Sequence, residues 1–344
     1  MRFIETENQR LAAFKANPSN FTETARAEGF YKGKPYPFCL PREHAEENLY
    51  REIREPAMTY FGKQEIKWHD GQDGKPSNHL RDGQVCCVNF LFPFADKPLA
   101  LAELLRPLFP TIRQMLPMEL PGQFVSFEWI GAANYLGEKV RFGAQRTRGA
   151  YFTSADAAVM FEREDRSKQI VLIEWKYTES YASTDKSVGR SGAIRMGIYK
   201  PFYDRQDCPL DRSLLPHLAD LFYEPFYQLM RQQFLAHEME QAHELGADVV
   251  SVLHIDPAAN TDFRRVTSPG LRSLGPSVMD VWKQLVRTPN RFTSVSTEEL
   301  FGHLPISQLP ELAAWWQYIN QGEYPLTVGK IKGYTIRHLL QEVA

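Results

Sequence analysis

The middle of the chain carries the hydrophobic pattern of a β-sheet. Residues 123–130 follow a period of two, which predicts a strand with one face in the core. Residues 151–162 and 169–177 predict two more strands, and the charged turn 164–168 joins them into a hairpin. The apolar run 247–255 predicts a fourth strand that is buried on both faces.

Helical patterns lie on either side of these strands. Residues 99–116 are rich in Leu and other helix formers, although two prolines interrupt them. The periodicity of residues 218–245 predicts a long helix that Gly246 ends, with Pro225 at a kink or in its first turn. Shorter C-terminal helices are predicted over residues 278–287, 311–319 and 334–343. The core therefore has the order helix, strand, strand, strand, helix, strand.

This order predicts an α/β protein with a central mixed β-sheet flanked by helices. The 344 residues are enough to bury a sizeable core. We expect residues 1–97 to form an N-terminal elaboration, residues 98–256 the core, and residues 257–344 a C-terminal helical elaboration packed on that core.

Composition excludes several classes of protein. The chain has 40 Lys and Arg against 42 Asp and Glu, which excludes a uniformly basic, histone-like coat but permits a local basic patch. No signal-peptide pattern and no apolar stretch of roughly 18 residues is present, so we expect a cytoplasmic protein without membrane contact. The four cysteines form no Cys-x-x-Cys pair, which argues against a cysteine zinc site and predicts reduced, buried thiols.

Three charged residues of the predicted hairpin carry the candidate chemistry. Glu174 and Lys176 point to the same side of their strand because side chains alternate, whereas Trp175 points to the other side. Asp156 lies near the start of the neighbouring strand, between alanines that leave space beside its carboxylate. Two carboxylates that converge from adjacent strands suit Mg²⁺, and a nearby lysine can orient water or offset phosphate charge. The pattern favours phosphodiester hydrolysis, and a purely structural buried ion pair is the alternative interpretation.

These residues resemble the motifs of the PD-(D/E)XK nuclease superfamily, whose fold is restriction-endonuclease-like. Within it the chain is similar to bacterial restriction endonucleases, and the matching segments are residues 148–150, 153–159 and 172–181. Ala155 stands where the superfamily name has proline. The resemblance implies that Asp156, Glu174 and the backbone carbonyl of Trp175 bind Mg²⁺, for which Mn²⁺ can substitute. It also implies that Lys176 serves the attacking water.

The resemblance therefore predicts a magnesium-dependent nuclease, most simply a restriction-like DNA endonuclease, with DNA as its partner. A homodimer is compatible with this interpretation. Two alternatives stay open. One is a non-catalytic nucleic-acid-binding or assembly module on the same fold, and the other is a nuclease that acts on RNA or on structured DNA.

Further site residues can be suggested from the resemblance. Many superfamily members carry an additional acid, for which Glu128 and Glu138 are candidates, although either could equally be a surface charge. Gln232 or Gln233 of the long predicted helix could reach the site, as a glutamine does in some relatives, and an exposed helix face is the alternative.

A local excess of positive charge surrounds the predicted site. Residues 139–200 contain 12 Lys and Arg against 7 Asp and Glu, whereas residues 201–256 contain 3 against 10. The Ser- and Gly-rich segment 182–197 is predicted to be a flexible basic loop that contacts phosphates, with an ordinary solvated loop as the alternative. The candidate nucleic-acid contacts are Arg146, Arg148, Lys186, Arg190 and Arg195.

Overall fold

The computed structural model describes residues 2–138, 146–150 and 152–320. The helix predicted at 334–343 lies outside the described residues. The α-helices are α1 Phe3–Ala16, α2 Arg54–Lys63, α3 Gly83–Leu91, α4 Pro98–Leu105, α5 Gly189–Asp204, α6 Phe226–Gln241, α7 Val278–Leu285, α8 Thr297–Gly302 and α9 Ala313–Asn320. The strands are β1 Gly29–Tyr31, β2 Lys34–Tyr36, β3 Ile112–Leu116, β4 Ser126–Trp129, β5 Ala155–Arg163, β6 Lys168–Trp175, β7 Val249–Asp256 and β8 Phe292–Ser296.

A six-stranded mixed sheet forms the centre of the described structure, and β1 and β2 form a separate small hairpin. The predicted hairpin is β5 and β6, which pair antiparallel, while β6, β7 and β8 run parallel to one another. The strand predicted at 247–255 is β7. These elements confirm the α/β fold with a central mixed sheet flanked by helices.

The first core strand is split into two pieces along the same edge of β5. β3 pairs with the end of β5, from Met160 to Arg163, and β4 pairs with its beginning, from Ala155 to Ala158. The helix expected over 99–116 therefore ends at Leu105, and its last residues form β3. Pro107 and Pro110 explain the change, because proline cannot continue a helix ladder.

Two hydrophobic layers cover the sheet, as the alternation of side chains requires. Val171, Ile173 and Trp175 of β6 pack with buried residues of α1 to α4, α8 and α9. Ile170 and Leu172 pack on the opposite face, with buried residues of α5, α6 and α7. The two terminal elaborations share the first layer. Trp315 of α9, for example, donates from its indole nitrogen to the carbonyl of Asn89 in α3 at 2.9 Å.

Two further predicted segments differ from the structure. Segment 182–197 is a loop only as far as residue 188, because α5 begins at Gly189 and anchors itself through the buried Tyr199 and Tyr203. Gly192, which suggested a loop, fits the helix because a Cβ there would lie 2.0 Å from the carbonyl oxygen of Ser187. The long helix of 218–245 begins only at Phe226, since Pro225 has no N–H for the helix ladder, and it ends at Gln241 and not at Gly246.

All four cysteine thiols are free and buried in the described structure. Within the described residues no single helix is long and apolar enough to cross a membrane, although one sharply bent pair, Gly83–Phe94 with Pro98–Leu105, passes that test jointly by length and composition.

Arg148 holds the edge of the sheet to the N-terminal helices. Its guanidinium forms an ion pair with Glu119 and donates to the Tyr60 hydroxyl at 3.2 Å and to the carbonyl of Glu128 at 3.1 Å. It also donates to the carbonyl of Phe127. Because these contacts occupy the guanidinium inside the fold, we assign Arg148 a structural role, and its contact with nucleic acid stays a prediction.

We expect Arg148→Met to lower the free energy of unfolding by about 3–5 kcal/mol, because it leaves the Glu119 carboxylate, whose side chain is only 11% exposed, without its counter-charge. Urea denaturation would measure the loss. Arg166→Met is the matched control, since Arg166 lies in the exposed turn of the hairpin and should change stability by less than about 0.5 kcal/mol. Equal losses in the two variants would contradict the structural role of Arg148.

Candidate active site

The site lies where the pairing between β5 and β6 ends. The last paired residues are Ala157 and Ile173, and Asp156 and Glu174 are the next residues beyond them. Here a side chain replaces the main-chain ladder, because Oδ2 of Asp156 accepts the backbone N–H of Trp175 at 2.7 Å. Asp156 and Glu174 therefore lie side by side on one face of the sheet, as the strand pattern predicts.

Glu174 is held between a lysine and a glutamine. Lys176 Nζ donates to its Oε1 at 2.5 Å, and Gln232 Nε2 of α6 donates to its Oε2 at 2.7 Å. Gln232 also donates to the carbonyl of Ser154 at 2.5 Å, so it ties the ends of both strands to the helix. All three side chains are buried.

A cavity of about 660 Å³ opens at this end of the sheet. Lys176 and Gln232 reach it from β6 and α6, and the start of α3 reaches it from the opposite layer. Among the described lining residues, the acidic side chains are Asp70, Asp82, Asp156, Glu174, Glu179 and Glu224, and the basic ones are His69, Lys176, Lys186 and Arg231. The cavity wall is thus predominantly acidic and has room for a cation and a phosphate.

The two carboxylates repel each other at this depth. Burial raises the pKa of Asp156 well above its usual range, the charge of Glu174 raises it further, and Lys176 offsets only part of that effect. Burial lowers the pKa of Lys176, but Glu174 and the other negative groups around it outweigh burial and hold the pKa above its usual value. Lys176 is therefore an ammonium ion at neutral pH. An additional cation would reduce the repulsion between the two carboxylates and so stabilise the site.

The donor set fits a divalent cation with oxygen ligands. No group of three or more His, Cys, Asp and Glu side chains in the described ranges is arranged to hold a metal ion, so the protein would supply two carboxylates and a carbonyl. Mg²⁺ typically takes one or two carboxylates and keeps several waters, which matches Asp156 and Glu174. Each oxygen of a carboxylate has a second lone pair for a ligand. Gln232 Oε1 is buried beside them and accepts no hydrogen bond in the described structure.

A family described as Restriction Endonuclease associating with ARP matches residues 8–321. The chain belongs to this family. The match spans nearly the whole chain, so the N-terminal segment and most of the C-terminal one are part of the family pattern, and the similarity to restriction endonucleases is confirmed. No curated protein and no solved structure matches the chain.

In this restriction-endonuclease family member, the two candidate additional acids have different surroundings. Glu128 is fully buried behind the cavity, where its oxygens accept from Gln84 Nε2 and Ser154 Oγ, each at 2.7 Å. Glu138 does not line the cavity itself, but it accepts from the backbone and hydroxyl of Thr153 and from Tyr199, and it pairs with Arg231, so it lies directly behind two residues of the cavity wall. Both are therefore internal acids and neither is a surface charge.

The two glutamines also separate. Gln232 contacts Glu174, whereas Gln233 is buried elsewhere and is not among the residues that line the cavity. A helix rotates by 100° per residue, so only one of two consecutive side chains can face the site.

The basic candidates lie at different depths. Arg146 donates to the carbonyls of Ile130 and Gly131, which makes it a structural residue like Arg148. Lys186 lines the cavity and pairs with Glu224. Arg190 is exposed at the start of α5, and Arg195 donates to the carbonyl of Lys186 at 3.1 Å. Arg146 and Arg148 are thus occupied inside the fold, whereas Arg190 is exposed to solvent, and the nucleic-acid contacts of all five residues stay predictions.

Sequence analysis missed the contribution of the N-terminal segment. His69, Asp82 and Gln84 line the cavity although they precede the core motif by 70 residues or more. The one local signal is Asp82, whose carboxylate caps α3 by accepting the backbone N–H of Val85 at 2.9 Å. An N-cap pattern predicts where a helix starts but does not indicate what the helix faces.

We expect Gln232→Met to lower the affinity for Mg²⁺ or Mn²⁺ about 10- to 100-fold, because Glu174 loses the donor that orients it. Titration calorimetry with each metal would measure the affinity. Gln233→Met is the matched control on the same helix, with the same change of side chain and no contact with Glu174. Equal affinities in the two variants would show that Gln232 does not position the carboxylate.

Proposed function

We propose that the protein is a magnesium-dependent nuclease that hydrolyses phosphodiester bonds in DNA, as a restriction-like endonuclease does. The observation that carries the proposal is the arrangement of Asp156, Glu174 and Lys176. Glu174 and Lys176 are buried and in contact, and the half-buried Asp156 lies beside Glu174, at the wall of a cavity open to solvent. Membership of a restriction-endonuclease family supports the same chemistry.

Each residue of this group has a distinct proposed task. Asp156 and Glu174, with the Trp175 carbonyl, are the proposed ligands of the cation. When bound, Mg²⁺ supplies positive charge to the phosphate and lowers the pKa of a coordinated water. Lys176 contacts Glu174 and lines the same cavity. Its ammonium can therefore orient the attacking water and offset the charge that develops on the phosphate. Gln232 keeps Glu174 in the orientation that this arrangement needs.

DNA is the substrate that the family description favours, and the exposed Arg190 and half-buried Arg195 of α5 offer phosphate contacts near Lys186. A homodimer and a cytoplasmic location stay predictions. A non-catalytic module associating with ARP is the second candidate, because the family description itself names that association. The complete set of Asp156, Glu174 and Lys176 favours the enzyme, since a binding module would not require all three.

We expect Lys176→Gln to slow cleavage of plasmid DNA about 100- to 1,000-fold, because the charge beside the attacking water is lost while an amide can still donate to Glu174. Metal affinity should persist in this variant. Glu174→Ala should lose metal affinity and cleavage together, because a ligand oxygen disappears. Cleavage rates would be measured against Mg²⁺ concentration, with EDTA as the metal-free reference and circular dichroism as the check on folding.

Lys168→Ala is the matched control for this series. Lys168 is exposed at the opposite end of the same strand, about 25 Å from Lys176, so its loss should leave the rate unchanged. A folded Lys176→Gln protein that cuts as fast as the wild type would remove Lys176 from the mechanism. A wild type that binds DNA but cuts neither DNA nor RNA with any divalent metal would favour the binding module.

We expect the double variant Arg190→Ala, Arg195→Ala to weaken DNA binding and to flatten its dependence on salt, because fewer phosphate contacts release fewer counterions. The logarithmic slope should fall by up to about 2, as two contacts are removed. Fluorescence anisotropy of a labelled duplex at several salt concentrations would give the slope. Arg166→Ala, at the far end of the hairpin, should leave it unchanged, and an unchanged slope in the double variant would exclude α5 from the interface.

A further inference from the structure

One wall of the cavity comes from the segment that precedes the core. His69 lies in this segment, and its imidazole lines the same cavity as Glu174 and Lys176. The side chain is 45% exposed, so it is accessible from the cavity. None of the proposed tasks of Asp156, Glu174 and Lys176 provides a proton for the group that leaves the phosphate.

His69 is held in place from two directions. Its backbone N–H donates to Gln84 Oε1 at 2.7 Å, and its Nε2 lies 3.4 Å from Oε1 of Glu128. Glu128 is itself fixed by Gln84 and Ser154, so a buried and immobile carboxylate stands behind the imidazole. The other ring nitrogen, Nδ1, has no hydrogen-bond partner among the described residues. A carboxylate that orients an imidazole is a recurrent arrangement for acid–base chemistry.

The backbone around His69 and Glu128 is strained at one point and closely packed at another. Glu128 has a φ of 50°, in the left-handed region, which is strained for a residue with a side chain. This conformation leaves Glu128 out of the regular pairing with β5. Two residues before His69, the backbone N–H of Lys67 donates to the carbonyl of Arg148 at 3.2 Å. A Cβ at Gly149 would lie 2.5 Å from the carbonyl oxygen of Lys67, so the contact requires glycine.

We infer that His69 is a further catalytic residue, the general acid that protonates the leaving oxygen of the cleaved phosphodiester; the inference rests on the proposed nuclease function. The attacking water oxygen forms the new bond to phosphorus, and its proton passes to solvent. The bond from phosphorus to the leaving oxygen breaks with its electron pair on that oxygen. The leaving oxygen takes the proton of Nδ1, and the imidazole regains a proton from solvent.

Other charged groups also face His69. Besides Glu128 these are Asp70, on the same loop, and Asp82, at the start of α3. Burial raises the pKa of Asp82 to about 7, and the nearby charge of His69 acts in the opposite direction. The imidazole is thus surrounded by acids on the protein side and is open on the cavity side.

The test replaces the leaving oxygen by sulfur. The cleaved phosphodiester is first mapped with the wild type, and duplexes are then made with one bridging sulfur at its 3′ position or at its 5′ position. A thiolate leaves without a proton, so a missing general acid no longer slows the reaction. Rates are compared for the wild type, His69→Gln and the control His217→Gln, in which an exposed histidine outside the cavity lining is changed.

We expect His69→Gln to slow cleavage of ordinary DNA about 100-fold or more, and this defect to disappear when sulfur occupies the leaving position. With sulfur at the other position the defect should persist, and His217→Gln should match the wild type throughout. A defect of the same size on all three substrates would overturn the general-acid role, as would an unchanged rate on ordinary DNA. A wild type without any metal-dependent cleavage would overturn the proposed function and this inference with it.

Discussion

The end of the β5–β6 ladder is the constraint on which the candidate site depends. After Ala157 and Ile173 the main-chain pairing stops, and the carboxylate of Asp156 takes over as acceptor for the backbone of Trp175. This hydrogen bond fixes the carboxylate next to Glu174, where burial and like charge make ionisation unfavourable. Such a pair persists because the apolar strands that carry it are packed on both faces.

Two helices from opposite layers meet at this point. α6 lies on one face and fixes Glu174 through Gln232, while the start of α3 comes from the other face and fixes Glu128 through Gln84. Residues of both layers reach the site because it lies at the end of the strands, where the sheet no longer separates the two layers. The geometry of the site is therefore set by the packing of the whole α/β/α arrangement and not by the two motifs alone.

The parts of the fold and site that could be predicted are those with local signals. The alternation in β5 and β6 and the short spacing of Glu174 and Lys176 lie within a few residues, so strand geometry alone gives their faces. Asp156 follows from the same hairpin. By contrast, α5 begins with a glycine-rich turn that looks like a loop, and its two buried tyrosines become informative only once their packing is seen.

Tertiary contacts explain most of what could not be predicted. His69 and Glu128 are separated by a long stretch of chain, and no spacing rule brings them together. Whether Gln232 or Gln233 faces the site depends on the rotation of α6 about its axis. The hydrophobic periodicity does not define that rotation finely enough to distinguish two consecutive residues. Arg148 and Arg146 counted as basic residues near the site, yet charge counts do not distinguish a cation that faces solvent from one that holds backbone carbonyls.

The N-terminal and C-terminal segments pack together on one face of the sheet, and this packing limits how far the chain could be shortened and still fold. Trp175, between Glu174 and Lys176, packs against Phe90 from the N-terminal side and Phe301 from the C-terminal side. A chain shortened to residues 98–256 would keep both motifs but, of the helices on that face of the sheet, would keep only α4. An apolar surface of this kind promotes aggregation. The smallest unit that folds is thus set by what covers the back of β6, and not by the motifs that the strand displays.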